Sequence, residues 1–139
     1  QIDKLVMLDA ARRKNFDKLY DIFAPYEKYF HLPKATEKSD PCWFGFLLTI
    51  RPDAPFEKHQ FVNHMENNKI QTRSYFTGNA LYHPAYAALA KEYGDLKKNF
   101  PNADVVTTSS LFLGTFIGIT EEKLDYIKKV VDEFFERIN

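Results

Sequence analysis

A single cysteine, Cys42, in 139 residues excludes an internal disulfide and any zinc or iron–sulfur site built on paired cysteines within this chain. Such scarcity fits a reducing cytoplasm, and Cys42, between Pro41 and Trp43 in an apolar run, is expected to be a buried, inert thiol. An excess of one charge is equally lacking. The 19 basic and 19 acidic side chains cancel and neither sign gathers into a block, so the electrostatic footprint of nucleic-acid or anionic-membrane binding is missing. No apolar run approaches a transmembrane span. The opening residues, QIDKLVMLDA, lack the uninterrupted hydrophobic centre of a signal peptide. They start on Gln1 already in helical rhythm, which suggests a piece of a longer, cytoplasmic protein. A phosphate-cradling Gly-rich loop, a G-x-S-x-G elbow and an H-E-x-x-H pair are all absent. His59 and His64, five residues apart, point to different sides of a helix, and His31 sits among large apolar side chains without a second ligand type. No metal site is therefore assigned within this chain, and none of these familiar catalytic patterns marks a catalytic residue in it.

What is present describes one folded unit. With 45% hydrophobic residues, a chain of 139 can bury roughly two-thirds of its unfolded surface as a single domain. Ile2, Leu5, Val6, Phe16, Leu19, Tyr20 and Phe23 recur at helical spacing and predict a long helix over about 2–23, ended by Pro25. A short strand is expected over 29–33, followed by a polar loop over 34–41. The almost continuously apolar run 43–50 predicts a central strand buried on both faces, in which Gly45 marks a bulge or a close backbone approach. Pro55 suits the first turn of a helix reaching about residue 66, whose inner face is Phe56, Phe61, Val62 and Met65, with His59 and His64 on solvated faces.

Further along, a strand is expected over 71–76, a helix over 84–91 ended by Gly94, and a polar loop over 95–102. Residues 104–110 suit either a short helix or an irregular lead-in to a strand at 111–113, and 114–118 resists assignment. Thr120 caps the last helix, with Glu121 and Glu122 at its positive end and Leu124, Ile127, Val130, Val131, Phe134 and Phe135 on one stripe. The whole is an α+β fold: a small, mainly antiparallel sheet of three to four strands, helices packed on one side, and a long N-terminal helix. Residues 1–24 form that helix and 25–139 the α+β body.

The stretch KIQTRSYFTGNALYHP, residues 69–84, holds the candidate site. Thr77-Gly78-Asn79 supplies the turn chemistry that stops the strand, since glycine and asparagine tolerate positive φ. Arg73 sits just before that bend. A guanidinium there offers a rigid fork of donors to a diphosphate or carboxylate; the competing reading is a surface ion pair with a nearby Glu.

These residues also carry a resemblance. Lys69, Ile70, Thr72, Arg73, Phe76, Gly78, Asn79, Pro84 and Tyr86, with the earlier run 39–46 and the later Phe112, Gly114, Gly118, Thr120 and Glu122, are similar to the small C-terminal domain of the DegT/DnrJ-type, fold-type I pyridoxal phosphate enzymes. The pattern most resembles the CDP-4-keto-6-deoxyglucose 3-dehydratase group of lipopolysaccharide biosynthesis, over most of the chain from about residue 15. The resemblance implies a full enzyme in which pyridoxal or pyridoxamine phosphate acts as electron sink while the 3-hydroxyl leaves a nucleotide-linked 4-keto-6-deoxyhexose. The coenzyme would be held by a large domain missing here, to which the long N-terminal helix would link. A homodimer is implied, and an iron–sulfur cluster elsewhere in the full chain is left open. The substrate-binding residues it implies are Arg73 toward the diphosphate or sugar oxygens, Asn79 as an amide partner, and Phe76, Gly78 and His83 around it. Phe76 and Trp43 would be apolar wall or, alternatively, core. Where the 3-dehydratases usually carry an Arg and a Gln before the proline, this chain has Tyr82 and His83; where they have Ser before the tryptophan, it has Cys42. A sugar aminotransferase of the same superfamily and a non-catalytic binding module are the alternatives.

Overall fold

The computed structural model describes residues 2–138. Its first long element, α1 (Leu5–Phe23), buries Asn15, Phe16, Leu19, Ile22 and Phe23 and ends where Pro25 enters a 3-10 turn, Ala24–Tyr26. Two residues of β1 (Phe30–His31) pair antiparallel with β2 (Gly45–Ile50). The helix α2 (Lys58–Asn67) starts three residues later than Pro55 suggested. Its start is set by a capping box in which Glu57 and Gln60 satisfy each other's backbone. Its end is a Schellman turn: Ile70 N–H reaches Met65 O at 3.0 Å and Lys69 N–H reaches Glu66 O at 3.0 Å, with Lys69 at φ 62°.

The strand expected over 71–76 shrinks to β3 (Arg73–Ser74). Beyond it come 3-10 turns at Ala80–Tyr82 and Pro84–Tyr86, then α3 (Ala87–Tyr93). The polar loop predicted over 95–102 is instead helical. Asp95 caps α4 (Leu96–Asn99) through Lys98 N–H at 3.1 Å, and Pro101 opens α5 (Pro101–Ser109) rather than breaking the chain. β4 (Ser110–Gly114) and α6 (Glu121–Glu136), capped by Thr120, complete the body.

Strand order is β1-β2-β4-β3, all neighbours antiparallel. Phe46, Leu48, Ile50, Leu111 and Leu113 point to one face and pack there with Phe16, Leu19 and Phe23 of α1, Phe61 and Met65 of α2, and the stripe of α6. β2 is consequently buried on alternate residues only, not on both faces: Phe46, Leu48 and Ile50 are covered, while Gly45, Leu47 and Thr49 are half-exposed. A continuous apolar run does not require two covered faces when the second face carries aromatic rings of its own. His64 is half-buried rather than solvated, its Nε2 lying 2.8 Å from Val130 O and its ring 5.2 Å from Phe134, so it ties α2 to α6. Cys42 is exposed, not buried. Its thiol lies beside Asp9 of α1, and that carboxylate, followed by burial, pushes the thiol pKa up, which disfavours the thiolate. Thr115, fully buried, donates to the carbonyls of Trp43 at 2.8 Å and Phe44 at 3.1 Å, accounting for part of the stretch after β4 that the sequence left open.

Candidate functional site on the second sheet face

Register decides which side chains share the face away from the core. Leu47 and Arg73 both lie opposite Phe112, so the three project to the same side. Phe112 lies across Gly45: a Cβ on that glycine would sit 2.6 Å from Cδ2 of the ring, so the close approach foreseen there is that of an aromatic ring. Around Phe112 gather Phe44 at 5.7 Å, Tyr75 at 6.4 Å and Phe76 at 6.5 Å between ring centroids. Phe44 is 64% and Phe76 72% exposed, which is uncommon for rings already in contact with one another. Arg12 of α1 stands 5.8 Å over the Phe44 ring and donates to Phe44 O at 3.2 Å.

Arg73 is exposed, and among the described residues its guanidinium makes no hydrogen bond and no ion pair within 4 Å, although its charge attracts the Glu66 carboxylate from farther away. Its nearest acidic neighbour is committed elsewhere: Glu66 accepts from the backbone N–H of Thr72 at 2.5 Å and from the Thr72 hydroxyl at 2.8 Å. Those two bonds, the backbone one first, hold the Glu66 carboxyl below its ordinary pKa. Both bonds fall on Glu66 Oε1, and Arg73 lowers the carboxyl's pKa further by charge alone; no close ion pair joins the two among the described residues. On its other side Arg73 lines a cleft of about 1130 Å³ bounded by α2, the β2–α2 connection and the end of α5.

The loop after β3 is built by backbone constraints. Gly78 N–H bonds to Tyr75 O at 3.3 Å, and both Phe76 (φ 48°) and Gly78 (φ 61°) are left-handed. For Gly78 the conformation is free of penalty; for Phe76 it is strained. Asn79 is buried, with 5% exposure, and its Oδ1 accepts from Leu81 N–H at 3.1 Å. Its Nδ2 is buried without a partner among the described residues. His83 is exposed, and its Nε2 lies 3.2 Å from Thr77 O, bridging the loop.

Arg73, Phe76 and their ring neighbours thus come together at the surface, whereas Gly78, Asn79 and His83 lie in the loop beyond, where Asn79 and His83 bond to the loop's own backbone. Trp43 stands apart from this ring group: half-buried, it stacks on Phe16 at 5.1 Å and 9° against the core, and Phe44 occupies the outer position. Phe44 and Phe112 entered the sequence reading only as part of the resemblance and Tyr75 only as part of the 69–84 stretch; none of them was assigned to the site, and Arg12 was missed altogether. The alternation of Phe112 between Leu111 and Leu113 was a usable signal for one of them.

Fit to a pyridoxal phosphate group can be tested on the donors present. The N-terminus of α2 is closed by the Glu57 carboxylate, and the first turn of α6 carries Glu121 and Glu122, so neither of these two helices offers a phosphate cradle. Lys58, the half-buried lysine of α2, donates to Thr107 O at 3.1 Å.

A family model described as the DegT/DnrJ/EryC1/StrS aminotransferase family matches residues 1–132, and the chain belongs to that family. It is 36% identical over 134 residues to dTDP-4-dehydro-2,6-dideoxy-D-glucose 3-dehydratase of Saccharopolyspora spinosa, covering 96% of this chain and 28% of that protein. The lipopolysaccharide biosynthesis protein RfbH of Salmonella typhimurium is 32% identical over 136 residues, 97% of this chain and 30% of the relative. A crystal structure of GDP-4-keto-6-deoxymannose-3-dehydratase (ColD) with bound GDP-perosamine matches with TM-score 0.72 at 26% identity, over 94% of this chain and 33% of that chain. The fold alone is shared with S. venezuelae DesV, at TM-score 0.80 and 20% identity over 99% of this chain and 34% of that one. The chain spans about a third of the length of these relatives. Among the described residues, no helix is long and apolar enough to cross a membrane.

Proposed function

We propose that this chain is the C-terminal domain of a pyridoxal- or pyridoxamine-phosphate-dependent 3-dehydratase acting on a nucleotide-diphosphate-linked 4-keto-6-deoxyhexose. Its second sheet face forms one wall of the substrate site. The observation that carries this is the exposed guanidinium of Arg73, without a hydrogen bond or close ion pair among the described residues, on the same face as Phe112 and the exposed rings of Phe44 and Phe76. The similarity to relatives named as 3-dehydratases supports dehydration over transamination.

The coenzyme supplies the electron sink, held by polypeptide outside this chain. The residues here bind and enclose. Arg73 presents two parallel N–H donors to diphosphate oxygens, a geometry a lysine cannot copy. The aromatic group covers the sugar or base and excludes water, which strengthens every charged contact beneath it. Gly78, Asn79 and His83 hold the loop that carries Phe76.

The test is Arg73→Ala in the full-length enzyme, assayed on the nucleotide sugar. Losing a charge-assisted contact costs about 1.5–3 kcal/mol, a fall in kcat/KM of about tenfold or more. Arg73→Lys should recover only part of it. Unchanged kinetics in Arg73→Ala would remove Arg73 from the site and with it this placement of the substrate.

A further inference from the structure

We infer that Thr107 of α5, together with Asp104 one turn earlier, acts as a positioning residue that sets the substrate loop from behind. This rests on the site proposed above. Three contacts converge on Thr107. Its Oγ1 donates to Ala103 O at 2.8 Å, which spends the hydroxyl proton on the helix and turns an oxygen lone pair toward the loop. The Asn79 backbone N–H donates to that same oxygen at 2.7 Å. The carbonyl of Thr107 accepts from Lys58 Nζ at 3.1 Å, so α2 steadies the point on which the loop rests.

The loop is also pressed against this residue. A Cβ on Gly78 would lie 2.4 Å from Thr107 Oγ1 and 3.0 Å from its Cα, a separation only glycine permits. At its far end, Tyr82 OH donates to Asp104 Oδ1 at 2.6 Å. Positions 104 and 107 are three apart on a helix and share one face, so α5 grips the loop at two points, Asn79 and Tyr82. Between β3 and that grip stands Phe76, exposed and held at φ 48°. A strained residue persists only where its surroundings over-determine it, and here the anchoring is the α5 face. Neither Thr107 nor Asp104 reaches the aromatic face through any contact of its own; they act on substrate through the loop.

The experiment uses the full-length enzyme and the isosteric pair Thr107→Val and Thr107→Ser. Thr107→Val keeps the shape and removes the acceptor, leaving the Asn79 N–H unpaired, and is expected to lower kcat/KM about tenfold, mostly through KM. Thr107→Ser retains the oxygen and should return to within about twofold of the parent. Thr107→Val combined with Phe76→Ala should be no worse than the poorer single variant, because both act through one loop. Unchanged KM in Thr107→Val, or effects that multiply with Phe76→Ala, would overturn the assignment. Should Thr107→Val not yield folded enzyme, Tyr82→Phe decides. It lies at an exposed residue, removes only the Asp104 bond, and must also raise KM if the grip matters. The Arg73→Ala result separates the two levels: a silent Arg73→Ala refutes the site itself, whereas a damaging Arg73→Ala beside a silent Thr107→Val refutes only the role of α5.

Discussion

Phe76 offers a test in which the sign of an effect, and not only its size, is at stake. At an ordinary position glycine is about 0.5–1 kcal/mol worse than alanine, because the unfolded chain gains freedom. A left-handed conformation costs an L-residue about 1–2 kcal/mol, a penalty that alanine shares with phenylalanine and glycine escapes. At φ 48° the second quantity exceeds the first. Phe76→Gly should therefore be more stable than Phe76→Ala by about 1 kcal/mol, the reverse of the usual order. Both lose the ring contacts to Tyr75 at 5.0 Å and Phe112 at 6.5 Å. With 72% of the residue exposed those contacts are limited, and their loss is set at about 1 kcal/mol. Phe76→Ala then falls about 1 kcal/mol below the parent, while Phe76→Gly lies close to it. Urea denaturation at fixed m-value, or a melting-temperature gap of about 4 °C, reads the difference. In the full-length enzyme the two variants should lose kcat/KM equally, because neither carries the ring. Alanine equal to or better than glycine in stability would refute the strain and the account of why the loop needs anchoring.

Two further outcomes bear on the scaffold. Glu66 has its pKa held below the ordinary 4.5 by the backbone and then the hydroxyl of Thr72, so its contribution to stability is present above pH 4.5 and is lost as pH falls through the lowered folded value. Glu66→Gln, which keeps an acceptor and removes the charge, should flatten that acid limb in denaturation curves measured between about pH 5 and 3; an unchanged limb would place the acid sensitivity elsewhere. Phe61 is fully buried and touches the rings of Phe23, Phe30, Phe56, Phe134 and Phe135. Phe61→Ala should cost about 3–5 kcal/mol by calorimetry or urea titration, and a cost below about 1 kcal/mol would mean the aromatic core is not the main support of the fold.

The parts of this architecture visible in the sequence are those governed by local rules. The last helix appears as predicted because its cap, its acidic first turn and its apolar stripe all act within a few residues of one another. The segment over 95–102 was misjudged because polar composition is a weak guide once Asp95 and Pro101 each supply a helix start, while over 104–109 the helical alternative is the one found. The start of α2 was misplaced for a similar reason: the reciprocal bonds of Glu57 and Gln60 outweigh the preference of Pro55 for a first turn. Phe44 failed differently, while of the two readings of Trp43 the packed one is found. Strand alternation would place Phe44 beside Phe46, yet β2 begins only at Gly45. The chain bends before it, with the Thr115 hydroxyl bonded to both Trp43 O and Phe44 O, so Trp43 turns inward and Phe44 outward. No pairwise pattern in the sequence records a bond made across 71 or 72 positions.

The site itself depends on a strand that stops early. Had the segment over 71–76 continued along β4, Tyr75 and Phe76 would have alternated, one ring on each side of the sheet. β3 ends at Ser74 instead, and the chain turns through the left-handed Phe76, which brings both rings to the face where Phe112 and Arg73 already stand. The backbone strain that ends the strand is thus the same feature that assembles the aromatic wall beside the guanidinium. Its cost is borne by contacts from α5 that lie on no strand, which is why periodicity left Arg73 open between a ligand and an ion pair and the resemblance, not the pattern, singled out Arg73 and Phe76.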